Sequence, residues 1–118
     1  CTVLLAGQPV YACQLLAVQV GQRPVVTIEG LADVGVHDRA LLLDPVQQAF
    51  LDNDGGQCGY CTPGFVLAAR ALLDANPNPT DADIRQALSG NLCRCNAYGR
   101  ILQSVREAAR LKAEKKRS

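Results

Sequence analysis

The chain has 118 residues, 48% of them apolar but only 4% aromatic, with no Trp and no Met. That is enough for one ordinary domain or two very small ones, with a core of Leu, Val and Ala that favours helical packing over an aromatic-rich sandwich. A formal net charge of +1 leaves no electrostatic footprint for nucleic acid, and no apolar run approaches the roughly 20 residues of a membrane span.

The first thirty residues read as strands and tight turns. Cys1 runs directly into Thr2–Leu5, a β-type segment, where a lipid-tethered domain would carry a polar linker. Ala6-Gly7-Gln8-Pro9 is a turn signal. Val10-Tyr11-Ala12 resumes an extended pattern into Cys13, and Leu15–Val20 is an apolar stretch broken only by Gln19. Gly21-Gln22-Arg23-Pro24 turns again, and β-branched Val25–Ile28 runs to Gly30. These are too few strands to be stable alone. They make sense as the back half of a small β domain whose front half, with any targeting signal, precedes Cys1.

From about Asp33 the period is helical. Asp38–Leu43 is expected to form a first turn or two, with His37, the one histidine, in a surface loop. Asp44-Pro45 is a cap followed by Pro at the first helical position, opening a helix that Gly55-Gly56 ends. Thr62-Pro63 opens a second, whose apolar face is Phe65, Val66, Ala69, Leu72 and Leu73. Asn76-Pro77-Asn78-Pro79 stops it. Thr80–Asp83 resembles a capping box with Asp in place of Glu, starting a third helix lined by Ile84, Ala87 and Leu88. A fourth begins near Tyr98-Gly99 and carries Ile101, Leu102, Val105, Ala108 and Ala109. Its end, Lys112–Ser118, reads as a solvated run of charge. Four helices with short connections suggest a bundle-like domain. Leu4, Leu5, Leu15, Leu16, Leu41 and Leu42 are expected to serve ordinary core packing.

The six cysteines stand as Cys1-x11-Cys13, Cys58-x2-Cys61 and, 31 residues on, Cys93-x-Cys95. The last two pairs lie at the entrances of the second and fourth helices, where free N–H groups and the positive helix end favour thiolate. If the two entrances meet, four thiolates converge. Two disulfides would leave a strained Cys93–Cys95 bridge, and zinc takes four cysteines but more typically from two CxxC pairs. An iron–sulfur cluster also takes four, and Gly56, Gly59 and Gly64 beside the sulfurs let backbone amides approach.

The segments Gln57-Cys58-Gly59-Tyr60-Cys61-Thr62-Pro63-Gly64 and Gly90-Asn91-Leu92-Cys93-Arg94-Cys95 resemble the signature of the iron–sulfur subunit of the molybdenum hydroxylases, the family of xanthine oxidase, aldehyde oxidoreductase and carbon monoxide dehydrogenase. Val26–Gly30, Pro45-Val46-Gln47, Asn78-Pro79-Thr80 and Tyr98–Ile101 support it in order along the chain. Asp44 departs from a His common before Pro-Val-Gln, and caps a helix equally well. The resemblance implies an α+β fold: residues 1–32 as the C-terminal part of a plant-ferredoxin-like β-grasp domain, then residues 33–118 as a four-helix [2Fe–2S]-binding domain.

It further implies two [2Fe–2S] clusters. Cys58, Cys61, Cys93 and Cys95 would hold the helical-domain cluster. Cys1 and Cys13 would supply the third and fourth ligands of a ferredoxin-type cluster, whose first two ligands would lie upstream. Gln57 and Cys95 would contact a molybdopterin held by a large partner subunit, and Arg94 would offset the anionic cluster or pair with a partner. The implied role is electron transfer, without a catalytic residue of its own, from the molybdenum cofactor toward an FAD subunit or another acceptor. The cytoplasm is the expected compartment. A free-standing [2Fe–2S] carrier and a zinc-stapled interaction module are the competing readings.

Overall fold

The computed structural model describes residues 1–34 and 41–117. Strand β1 (Thr2–Leu5) pairs antiparallel with β2 (Gln8–Tyr11), with Leu5 opposite Gln8. The two residues between them, Ala6 and Gly7, have φ of 49° and 81°. Positive φ at both central positions matches a type I′ hairpin, the turn whose twist suits two strands. Pro9 is tolerated because β2 is an edge of the β2-β1-β3 sheet. β3 is only Val25–Val26, paired with Leu5 and Leu4. The β-branched run then leaves the sheet as a 3-10 turn over Ile28–Leu31.

Two local expectations are corrected. Within the apolar run Leu15–Val20, residues Ala17–Val20 form a single helical turn, α1. Its polar neighbours override the β-type pattern. Gln19 Oε1 accepts from the Leu16 N–H at 2.9 Å, the Arg23 guanidinium donates to the Val20 carbonyl at 3.2 Å, and Gly21 closes the turn at φ 61°. In place of a helix start, Leu41–Leu42 is strand β5, paired with β4 (Asp33–Val34). That ladder is a tertiary pairing that local propensity does not contain. The remainder of the Asp38–Leu43 expectation, and His37, lie outside the described residues.

Four helices follow, α2 (Pro45–Asp52), α3 (Thr62–Ala75), α4 (Asp81–Leu88) and α5 (Tyr98–Arg117), with side-chain caps on α2 and α4. Asp44 caps α2, its Oδ1 accepting from Val46 N–H at 2.9 Å while Gln47 accepts from Asp44 N–H at 3.0 Å. Asp44 also pairs with Arg70 of α3, a tie its reading as a cap alone misses. Thr80 and Asp83 form the expected capping box on α4. One turn beyond Arg70 on α3, Asp74 pairs with Arg70 and with Lys112 of α5, the latter at 2.6 Å.

The core gathers Val46 and Phe50 of α2, Phe65, Val66 and Leu73 of α3, Ile84 and Leu88 of α4, and Ile101, Val105 and Ala108 of α5. On the reverse of α3, Leu67 and Ala71 pack against Leu4 of β1. Helix α3 is therefore buried on two sides, where its apolar periodicity suggested one. A helix apolar nearly all round belongs at the centre of a fold. Of the six leucines expected in the core, Leu4 and Leu5 are buried, Leu15 is half-buried, and Leu16 and Leu42 are exposed. The side chain of Leu41 is not among those described.

Helix α2 ends in a 6→1 hydrogen bond from Gly55 N–H to the Phe50 carbonyl at 2.8 Å, with Asp54 left-handed at φ 49°. A Cβ on Gly55 would stand 2.8 Å from Ser104 Oγ and inside the Phe50 ring contact. Gly55→Ala is expected to destabilise by ~1–3 kcal/mol through overpacking, read as a lower midpoint in denaturant unfolding.

Acid sensitivity follows from α4. The Arg106 guanidinium donates to Asp81 and holds its carboxyl below the usual range, and the Thr80 backbone N–H at 2.9 Å does the same for Asp83. Both folded values lie below the unfolded 3.8, so their contribution is complete above that pH and lost as pH falls through the folded values. The thermal midpoint is expected to fall on acidification, less steeply in Asp81→Asn than in the wild type. Parallel profiles would remove this account.

Candidate metal centre

The Schellman-type end of α2 delivers the chain into the loop that carries Gln57, Cys58 and Cys61. Gly59 sits between the two cysteines at φ 82°, the left-handed turn that lets the loop reverse. Thr62 N–H closes on the Gly59 carbonyl at 3.3 Å, and Cys61 is the N-cap of α3, its carbonyl accepting from Phe65 N–H at 3.2 Å. Cys61 thus occupies the helix entrance that the Thr-Pro pair marks.

The second loop descends from α4. Asn91 N–H binds the Leu88 carbonyl at 3.0 Å, and Cys93 N–H donates to the Tyr98 hydroxyl at 2.9 Å. The Tyr98 ring meets Phe65 edge-on, centroids 6.3 Å apart at 78°. Cys93 is buried, and its Sγ accepts from Ala97 N–H at 3.4 Å. Asn96, at φ 60°, turns the chain between Cys95 and α5.

Between them the loops bring the four sulfurs together as two pairs, each with one member from either motif: Cys58 with Cys95, and Cys61 with Cys93. Their environments differ. Tyr60 N–H, then Cys95, lowers the Cys58 thiol, while Ala97 N–H lowers Cys93 despite its burial. Burial, reinforced by Cys93, pushes Cys61 up to about 11. Amides therefore stabilise thiolate at Cys58 and Cys93, and proton loss from Cys61 must be driven by a metal.

Among the described residues, no three or more His, Cys, Asp or Glu side chains surround one point as a single ion requires. Two pairs of thiols suit a two-iron centre, in which each iron takes two protein ligands. A second observation agrees. Thr62 Oγ1, next to Cys61, is a buried hydroxyl with no hydrogen-bond partner, packed against the open face of Gly56. An unpaired buried hydroxyl costs about 1–3 kcal/mol, and beside an electron-rich sulfur centre it has something to donate to. The residues present fit a [2Fe–2S] group.

Comparison with known proteins places this arrangement. Residues 27–106 match the family model described as the [2Fe-2S] binding domain. The chain belongs to that family. It is 50% identical over 108 residues to the nicotinate dehydrogenase small FeS subunit of Eubacterium barkeri, which covers 92% of this chain and 65% of that protein. Among solved structures, quinoline 2-oxidoreductase from Pseudomonas putida 86 superposes with a TM-score of 0.83 at 35% identity, over 97% of this chain and 68% of that one. The aldehyde oxidoreductase from Desulfovibrio desulfuricans ATCC 27774 superposes with a TM-score of 0.85 at 36% identity, over 97% of this chain and 12% of that one. The α+β fold is the one these relatives share.

The remaining site residues are placed as follows. Hairpin register puts Cys1 opposite Ala12, whose N–H reaches the Cys1 carbonyl at 2.6 Å, so Cys1 and Cys13 share one end of the hairpin, both exposed. Gln57 is exposed and lines a shallow cleft with Ile28, Phe50 and Leu51. Arg94 is exposed. The bare face of Gly64 is taken by Asn91 and Thr2, at 2.9 and 3.4 Å from where a Cβ would stand. Asn91 and Tyr98 are the residues the motif reading missed. Both stood inside quoted motifs, but no local pattern shows what they bind.

Proposed function

We propose that this chain is the electron-transfer subunit of a molybdenum hydroxylase, carrying two [2Fe–2S] centres. The observation that carries this reading is the meeting of Cys58 with Cys95 and Cys61 with Cys93, across two separate motifs at two helix entrances. Residues 1–32 and 33–118 form two units, a ferredoxin-like part and a helical part, joined where Leu4 rests on Leu67 and Ala71. Cys58, Cys61, Cys93 and Cys95 hold the helical-domain centre, and Cys1 and Cys13 supply two ligands of the other.

When bound, such centres take and release one electron at a time. The chain's own residues set the conditions. Amides of Tyr60 and Ala97 stabilise anionic sulfur at Cys58 and Cys93. Burial of Cys93 keeps water from one side of the centre. The exposed Gln57 carboxamide is free to hydrogen-bond the pterin of a large partner subunit, beside Cys95. Arg94 offsets the centre's negative charge. A second centre held in part by Cys1 and Cys13 would supply the route toward an FAD subunit or another acceptor. All six cysteines are free thiols, and the proposed compartment is the cytoplasm, where thiols stay reduced. Among the described residues, no helix is long and apolar enough to cross a membrane.

The test is metal content and spectrum of the protein purified from its own host. Iron and acid-labile sulfide in equal amounts, a visible chromophore, and copurification with a molybdenum-containing subunit are expected. A colourless protein holding zinc would end the redox reading, and a coloured chain that never copurifies with molybdenum would favour a free carrier.

A further inference from the structure

The β unit and the helical unit are joined by polar contacts: Gln47 Nε2 donates to the Ile28 carbonyl at 3.1 Å, and another lies beside both cysteine sites. Asn91 Nδ2 donates to Thr2 Oγ1 at 3.0 Å, across 89 positions of sequence. Thr2 is 5% exposed and follows Cys1 directly. Asn91 stands two residues before Cys93. The contact exists only because Gly64 has no side chain, since a Cβ there would come within 2.9 Å of Asn91 Nδ2 and 3.4 Å of Thr2 Oγ1. Three separate segments are therefore shaped around one hydrogen bond. A second contact flanks it, with the Tyr11 hydroxyl occupying the open face of Gly90. Tyr11 is the register partner of Thr2.

The rest of the Cys93 loop is anchored within the helical unit, through Leu88 on one side and Tyr98 on the other. Those anchors hold the loop to its own helices and say nothing about where Cys1 stands. Thr2 and Asn91 do. From these contacts we infer that Asn91 is a positioning residue that sets the placement of the Cys93/Cys95 sulfurs relative to the Cys1 end of the hairpin, so that the two metal centres keep one fixed separation. The inference rests on the two-centre reading above. The apolar contacts of the junction, Leu4 on Leu67 and Ala71, are non-directional, whereas a carboxamide on a hydroxyl is directional within a narrow range of angle and distance. Short, fixed separation matters because the dipolar coupling of two paramagnets changes steeply with distance and orientation.

The experiment uses the full protein with its clusters, in four forms: wild type, Thr2→Val, Asn91→Ala and the double variant, with Thr2→Ser as the hydroxyl-preserving control. Electron paramagnetic resonance of the fully reduced protein reads the splitting between the two centres, and thermal unfolding reads the contact itself. Both single variants are expected to change the splitting while iron and sulfide contents stay at the wild-type level. Thr2→Ser is expected to keep the wild-type spectrum. In unfolding, the two single changes should be non-additive, with a coupling of roughly fivefold in the equilibrium constant. Additive unfolding shifts would overturn the contact whatever metal is bound. An unchanged splitting in both folded variants would overturn the positioning role. Wild-type protein with one centre or none would instead remove the two-centre reading, and is recognised by its iron content before any variant is made.

Discussion

Cys93→Ser is expected to abolish iron binding at the helical-domain site, with loss of the corresponding visible absorption. Cys93 is the one buried cysteine of the six, and its sulfur sits in a cradle of amides, with Ala97 N–H at 3.4 Å. A serine oxygen is smaller, does not reach the same position, and ionises only far above neutral pH. The cradle that lowers a thiol therefore leaves the hydroxyl protonated and the iron one ligand short. Cys61→Ser is expected to do the same. Cys13→Ser serves as the contrast: with two centres, it should remove about half the iron and leave the helical-domain spectrum in place. Iron and sulfide analysis with a visible spectrum checks all three. Full iron in Cys93→Ser would show that the pairing of Cys61 with Cys93 does not make a metal site.

Phe65→Ala is expected to lower stability by ~3–5 kcal/mol, a large part of the roughly 5–15 kcal/mol that holds an ordinary domain together. Phe65 is 1% exposed at the centre of the main core. Its ring edge also supports Tyr98, whose hydroxyl receives the Cys93 N–H at 2.9 Å. The deletion thus opens a cavity and loosens a metal-site anchor together. Tyr98→Phe separates the two effects, because it keeps the aromatic pair and removes only the acceptor. Its stability loss should be near 1 kcal/mol. Denaturant unfolding of both variants reads the difference. Equal losses would mean that the ring pair contributes little beyond the anchor.

Much of the helical unit was legible before any coordinates. Asp44 and Thr80 marked helix starts correctly because a cap acts within its own first turn, whereas Thr62-Pro63 marked its start through Pro in the first turn, the Thr62 hydroxyl capping nothing. The cysteine motifs were legible for the same reason, as each lies within a few residues at a helix entrance. The misreadings fell where a distant partner or a local polar contact outvoted the apolar pattern. Leu41–Leu42 is strand because Asp33–Val34 pairs with it. Residues 17–20 turn helical because Gln19 and Arg23 satisfy the backbone locally, a polar detail hidden within an apolar run.

Short-range chemistry alone therefore determined the helix starts, the hairpin turn near Gly7, the two cysteine motifs and the family they mark. Each of these depends on neighbours within one turn of chain, where sequence order and spatial order coincide. Tertiary structure decided which sulfur faces which, that α3 is buried on two sides, and that Asn91 reaches a threonine 89 positions away. These are contacts between segments brought together only by burial of the shared core. Burial is non-directional, so the apolar pattern required that a core form without specifying which polar groups would meet across it.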